Sequence, residues 1–284
     1  MASLAVIRAQ VESRLPGALT VYERPAPEVF PTGIASLDEQ IRGIPQSALT
    51  QIHAPLNFSS GKTALLVSLM AQVTRREQFC ALVDASDCFD PQSAEAAGVN
   101  LARVLWVRCA CHQRLKPIPP QHANTARAGD PFPPQHANTA RAGDPFPPQH
   151  ANTARAGDPL EQAFKAADIL VQNGGFALIA VDLGNIEEKL VRKVPLTTWF
   201  RFARVVEKMP AALVFLLSYP AAQSCAGLTL RLACAEPGWS GKEKISHTKL
   251  LRQLRCEVEI GRSRTRKPVQ SVARPIFAAT PRWA

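Results

Sequence analysis

The sequence predicts an α/β fold on a mostly parallel sheet. Apolar runs such as FALIAV (176–181) and ALVFLL (212–217) lack the polar alternation of half-exposed strands, so each reads as a strand buried on both faces. Segments of helical period separate these runs, and helices between buried strands make parallel crossover units.

Taken in order, Leu4, Ile7, Val11 and Leu15 recur at helical spacing, and residues 1–30 read as an N-terminal helix and linker. ALTQIHA (48–54) reads as a strand, KTALLVSLMAQVTRR (62–76) as a helix and FCALVDAS (79–86) as a second strand. SAEAAGVN (93–100) follows as a short helix and ARVLWVRC (102–109) as a third strand. Beyond an interruption, LEQAFKAADILVQNG (160–174) is helical and FALIAVDL (176–183) is a strand. PLTTWFRFARVVEKM (195–209) is a helix opened by Pro195, with Trp199, Phe200 and Phe202 as core candidates, and AALVFLLS (211–218) is another strand. LTLRLACA (228–235) and LLRQLRCEVEIGRSR (250–264) read as antiparallel strands at the C-terminal edge, joined by a loop.

The interruption is a repeat. Residues 119–132 read PPQHANTARAGDPF, 133–146 repeat the string unchanged, and 147–160 repeat it with Leu160 in place of the last Phe. Each copy holds three prolines, a glycine and one large apolar residue, so stacked copies have no continuous core to share. The expectation is a flexible, largely disordered insertion, tolerated because closure entropy grows only with the logarithm of loop length. Its one Arg and one Asp per copy leave it neutral. The implied division is 1–30 helix and linker, 31–118 first part of the core, 119–160 insertion, 161–265 second part and 266–284 basic tail.

Composition narrows the classes further. No apolar run reaches the length of a membrane span and the N-terminus has no continuous apolar signal core, which points to the cytoplasm. Seven cysteines, mostly in apolar stretches, argue against a disulfide framework. Cys109, Cys111 and His112 lack the second ligand pair of a zinc site, and His122, His136 and His150 only follow the repeat. Net charge is +10, and residues 242–284 hold eleven Lys and Arg against three Glu, so the basic character is C-terminal. Nucleic acid is the simplest partner for such an asymmetry.

The stretch HAPLNFSSGKTALL (53–66) ends like a nucleotide-binding loop, with Ser59, Ser60, Gly61, Lys62 and Thr63, but Leu56 stands where the G-x-x-x-x-G-K-[ST] pattern has its first glycine. A strand precedes the loop, a helix follows directly, and a downstream strand ends in Asp182. In such a site backbone N–H groups face the β-phosphate, Lys62 reaches the β and γ oxygens, and Thr63 with Asp182 holds Mg²⁺. If position 56 required positive φ, leucine there would cost about 1–2 kcal/mol. Placing Ala54 at that position instead lengthens the loop by two residues.

The run TGIASLDEQIRGIPQSALTQIHA, then SSGKTALL, CALVDASDCFDP and FALIAVDL, resembles the RecA recombinase family in order and spacing, including the shorter RecA-like proteins of the ImuA type that accompany error-prone polymerases. The resemblance covers residues 31–110 and 160–262 and implies a RecA-like P-loop ATPase core using ATP and Mg²⁺. It makes Ser86 the departure, standing where the family has the glutamate that activates water, so no catalytic residue is intact. Ser93 stands where the family stacks a tyrosine on adenine, and SYPAAQSCAGLT lacks the glycine-rich DNA loop with its sensing glutamine, a role we do not assign to Gln223.

The function implied is DNA repair or recombination, within the SOS response, with ATP and single-stranded DNA bound and hydrolysis weak or absent. Arg262, Arg264, Arg266 and Lys267 are the candidate DNA phosphate contacts. The alternative is a non-enzymatic accessory factor of translesion synthesis, a scaffold for a polymerase or for RecA. The family's N-terminal helix docks on a neighbouring subunit, so self-association and packing on its own domain both stay open for residues 4–15.

Overall fold

The computed structural model describes residues 3–19, 28–56, 60–109, 158–240, 251–263 and 274–280. In chain order the elements are α1 (Leu4–Arg14), β1 (Val29–Phe30), α2 (Ala35–Ile41), β2 (Ile44–Pro45), β3 (Ala48–His53), α3 (Lys62–Arg75), β4 (Cys80–Asp84), α4 (Pro91–Ala96) and β5 (Val104–Arg108). They continue with α5 (Pro159–Asn173), β6 (Leu178–Asp182), α6 (Glu188–Arg192), α7 (Leu196–Val206), β7 (Ala212–Leu217), β8 (Leu228–Trp239), β9 (Leu251–Ser263) and β10 (Ile276–Ala279).

The main sheet has the order β10-β9-β8-β3-β7-β6-β4-β5. From β8 to β5 every neighbouring pair is parallel, while β9 and β10 add antiparallel strands at the C-terminal edge. The predicted α/β class holds. Alternation along each central strand sends residues to two cores. Ile52, Leu82, Ala180, Val214 and Leu216 pack beneath α3, whereas Leu49, Val83, Val181, Leu213 and Phe215 pack beneath α5 and α7. Both faces are covered, which is why these strands read as continuous apolar runs.

Local chemistry sets the helix ends. Asp90 caps α4, accepting from the N–H groups of Gln92 and Ser93, and Pro91 occupies the first turn. The helix α7 buries Trp199, Phe202, Ala203 and Val206, at the helical i, i+3, i+4 and i+7 spacing, and Trp199 meets Phe215 edge-on at 5.0 Å. Phe200 is 42% exposed, which corrects the expectation that it joins the core: one position further around the helix it faces away from the sheet.

Several elements differ from their predicted bounds. Leu101–Arg103 form a 3₁₀ turn, with the Asn100 side chain accepting from the N–H of Ala102, so the strand begins at Val104. Asp158, Pro159 and Leu160, the end of the third repeat copy, belong to α5: Asp158 Oδ1 accepts from the N–H of Leu160 at 3.0 Å and Leu160 is buried. The other repeat residues, 119–157, lie outside the described residues. The strand β8 runs on through Pro237 to Trp239. It pairs with β3 only as far as Arg231, so beyond that point one edge is open and a proline breaks no bond to β3. Ile276–Ala279, placed by sequence in a basic tail, pair with Glu257–Leu254 as the edge strand.

Among the described residues, α1 buries none of its side chains; Leu4, Ile7 and Leu15 are exposed.

Candidate functional site

The candidate site lies at the C-terminal ends of β3, β7, β6 and β4, four consecutive strands of the parallel part of the sheet. Gly61 caps α3 with φ 77°, a left-handed conformation that glycine adopts without a Cβ clash. The space above it is closed as well: a Cβ at Gly61 would lie 2.5 Å from Cys256 Sγ and 3.0 Å from Phe277 Cζ. Ser60 is buried beside it, and Ser59 lies outside the described residues. Leu56 is not among the described residues with positive φ, so the strain expected of leucine at that position does not arise.

Lys62 begins α3, and its ammonium donates to three carbonyls, Leu217 at 3.2 Å, Gly184 at 3.3 Å and Ala54 at 3.4 Å. Burial pulls its pKa below the ordinary lysine value, with Asp182 opposing. The first turn of α3 holds no acid, and Thr63 there is exposed.

Asp182 ends β6 and accepts from the N–H of Gly184 at 2.8 Å. A Cβ at Gly184 would meet Asp182 Oδ1 at 2.9 Å and Lys62 Nζ at 3.2 Å, so the two side chains bracket that glycine. Burial pushes the Asp182 carboxyl above the usual carboxylate range; the Gly184 N–H and Lys62 oppose this, and the charge of Asp84 adds to it. A cation placed there would relieve that penalty.

Asp84 was missed by the sequence argument. It ends β4 directly opposite Asp182, and its buried carboxylate accepts from the N–H groups of Ser86 at 3.1 Å and Phe89 at 2.9 Å. The available signal was that LVD (82–84) and AVD (180–182) end two neighbouring buried strands alike.

Ser86 has a buried hydroxyl oxygen with no hydrogen-bond partner among the described residues. Asp87 has φ 54° and is held by Arg108, whose Nε lies 2.6 Å from Oδ1 and whose guanidinium stacks 4.8 Å over Trp106. Its carboxylate is engaged in that pair. Ser93 donates to Asp90 within the α4 cap, and Gln223 is exposed in a 3₁₀ turn. Gln51, buried on β3, ties down the segment after β7, donating to Thr229 Oγ1 and accepting from the N–H of Ala222.

The DNA candidates are only partly described. Arg262 is exposed on β9 opposite Thr229, and Arg264, Arg266 and Lys267 lie outside the described residues. Arg231 and Arg274 both pair with Glu259, and Arg274 also reaches Glu257. Among the described residues no group of His, Cys, Asp or Glu could hold a metal on its own, and no helix is long and apolar enough to cross a membrane.

Comparison with known proteins converges on the same segment. The RecA N-terminal domain model matches residues 18–113. Protein RecA of Deinococcus radiodurans is 39% identical over 80 residues, 28% of this chain and 22% of that protein. Protein RecA of Treponema denticola is 38% identical over 82 residues, 28% and 19% of the two chains, and that of Pseudomonas putida 37% over 86 residues, 30% and 24%. The matched stretch thus spans 19–24% of these relatives' own length. It runs from before β1 to just past β5 and contains the glycine–lysine–threonine turn. Over this N-terminal segment the chain is similar to the RecA N-terminal domain.

Proposed function

We propose that this chain is a RecA-like DNA repair or recombination protein that binds ATP with Mg²⁺, binds single-stranded DNA, and hydrolyses ATP weakly or not at all. The observation that carries the reading is the bracket around Gly184, with Lys62 on one side and Asp182 on the other, at the mouth of a left-handed glycine turn. Lys62 is held there by carbonyls and has no carboxylate within ion-pair distance among the described residues, so its charge is available to phosphate oxygens. Ser60 and Gly61 lead into the N-terminus of α3, Thr63 offers a hydroxyl in its first turn, and Asp182 has an unfavourably buried charge. These residues fit a nucleotide and a divalent cation. A bound cation would neutralise charge on the terminal phosphates.

Hydrolysis also needs a base to orient and deprotonate water. Ser86 offers a hydroxyl, a far weaker base than glutamate near neutral pH, and Asp87 is paired with Arg108. The chain therefore orients and holds more readily than it turns over. The exposed Arg262, continued by Arg264, Arg266 and Lys267 in sequence, would add salt-sensitive phosphate contacts.

A second reading is favoured by α1. Its exposed Leu4 and Ile7, with Leu15 just past its end, fit a scaffold role, docked on a second copy, on RecA or on an error-prone polymerase during the SOS response in the cytoplasm. Mg-ATP turnover by purified protein, with and without single-stranded DNA and with Lys62→Ala as control, separates the two. DNA-stimulated turnover lost in the variant supports a working nucleotide site. Turnover and ATP binding both indistinguishable from the variant would leave the scaffold reading.

A further inference from the structure

Cys234 and Cys256 are strand partners, directly opposite each other on β8 and β9. Residues so placed point to the same face with Cα atoms about 4.5–5.5 Å apart, inside the range of about 4.4–6.8 Å that a disulfide spans. The register then steps from Cys234↔Cys256 to Glu236↔Arg255, a bulge that leaves Ala235 over. Leu230 and Leu232, on the same face of β8, are fully buried, but Cys234 at the bulge is only partly so. The bulge gives solvent a way to one sulfur of the pair. The other is buried, and it is the group packed over Gly61, where a Cβ would lie 2.5 Å from Cys256 Sγ. No other two described cysteines are strand partners, and both of these thiols are free.

We propose that Cys234 and Cys256 form an oxidisable pair that closes to a reversible disulfide and thereby alters the turn at Gly61; the link to function rests on reading that turn as a phosphate loop. The oxidant is a peroxide. The Cys234 thiolate attacks the O–O bond and becomes a sulfenic acid, and the first oxygen leaves as water after protonation. The Cys256 sulfur then attacks the Cys234 sulfur, giving up its thiol proton; the S–S bond forms, the S–O bond breaks and a second water leaves. The dithiol loses two electrons and the peroxide gains them. Burial pushes the Cys256 thiol up to about 11, which leaves the more exposed Cys234 to react first. Bringing two non-bonded sulfurs to about 2.05 Å must move at least one of them, and Cys256 cannot move without changing its contact with Gly61.

The test treats the full chain with hydrogen peroxide, alkylates the remaining thiols and maps the peptides, followed by amide hydrogen exchange over residues 54–66. The expected result is a Cys234–Cys256 bridged peptide, removed by dithiothreitol and absent in Cys234→Ser, together with a several-fold change in exchange over 54–66 in the oxidised wild type only. Both thiols remaining open to alkylation, or a bridge to another cysteine, overturns the pair. A bridge without any change in exchange overturns the connection to Gly61. Should the reduced protein fail to bind ATP while the bridge and the exchange change both appear, the nucleotide reading falls and the redox pair stands.

Discussion

Asp87 is locked to Arg108, with Oδ1 2.6 Å from Nε, so the acid that follows Ser86 in sequence is already committed to an ion pair on the edge strand β5. The proposed weakness in hydrolysis therefore lies with one side chain. Ser86→Glu is expected to raise DNA-stimulated Mg-ATP turnover by about 10²–10⁴-fold, the usual range for a positioned general base, while Ser86→Ala leaves it unchanged. A Ser86→Glu protein that binds ATP but turns over no faster would remove the role assigned to position 86.

Gly184→Ala probes the bracket between Lys62 and Asp182. The added methyl would sit 2.9 Å from one side chain and 3.2 Å from the other, so one must shift. The expected effects are a stability loss of about 1–3 kcal/mol in denaturant melts and weaker ATP binding by titration. Unchanged affinity would mean that Lys62 and Asp182 do not act together on the ligand.

The repeat is expected to be dispensable. Deleting residues 119–146, two of the three copies in register, should leave the melting temperature and any ATP binding unchanged. Asp158→Ala, in the copy that remains, removes the cap of α5 and is expected to cost about 1 kcal/mol. A large loss on deletion would show that the copies pack.

His53 sets a pH limit. Burial, with Arg231 and Lys62 nearby, lowers its pKa from 6.5 to about 4, so the folded form holds it neutral. Between those values the unfolded chain binds the proton and the folded chain does not. Stability is therefore full above about pH 6.5 and declines as pH falls towards 4. Because the imidazole is partly exposed, His53→Gln should recover only about 1 kcal/mol of the loss between pH 7 and pH 5 in melts at the two values. An identical decline in the variant would assign the acid sensitivity elsewhere.

Arg262, Arg264 and Arg266 together changed to Ala should weaken single-stranded DNA binding and flatten its salt dependence by about 0.7 for each phosphate no longer neutralised. Binding with an unchanged salt slope would place the DNA surface on another part of the chain.

What could be read from sequence was local. Continuous apolar runs foretold buried strands, because burial on both faces removes the reason for alternation. The order of GKT, of Asp182 and of Ser86 named the candidate site residues, because the motif spans one turn and the strand ends are apolar runs that stop at an acid. The expectation that the repeat builds no core of its own rests on its composition alone.

Tertiary structure decided what depends on distant parts of the chain. Lys62 is held by Leu217, 155 residues away, and Gly61 lies under Cys256 and Phe277, contacts that no window of sequence contains. Asp84 gained its importance only when β4 and β6 paired in register, and Ile276–Ala279 became a strand only because β9 offered an open edge. Helical spacing gave α1 an apolar stripe, but spacing cannot say whether anything covers it. Hydrophobic pattern shows which surfaces need burial, whereas the choice of partner is made by the order in which strands add to the sheet.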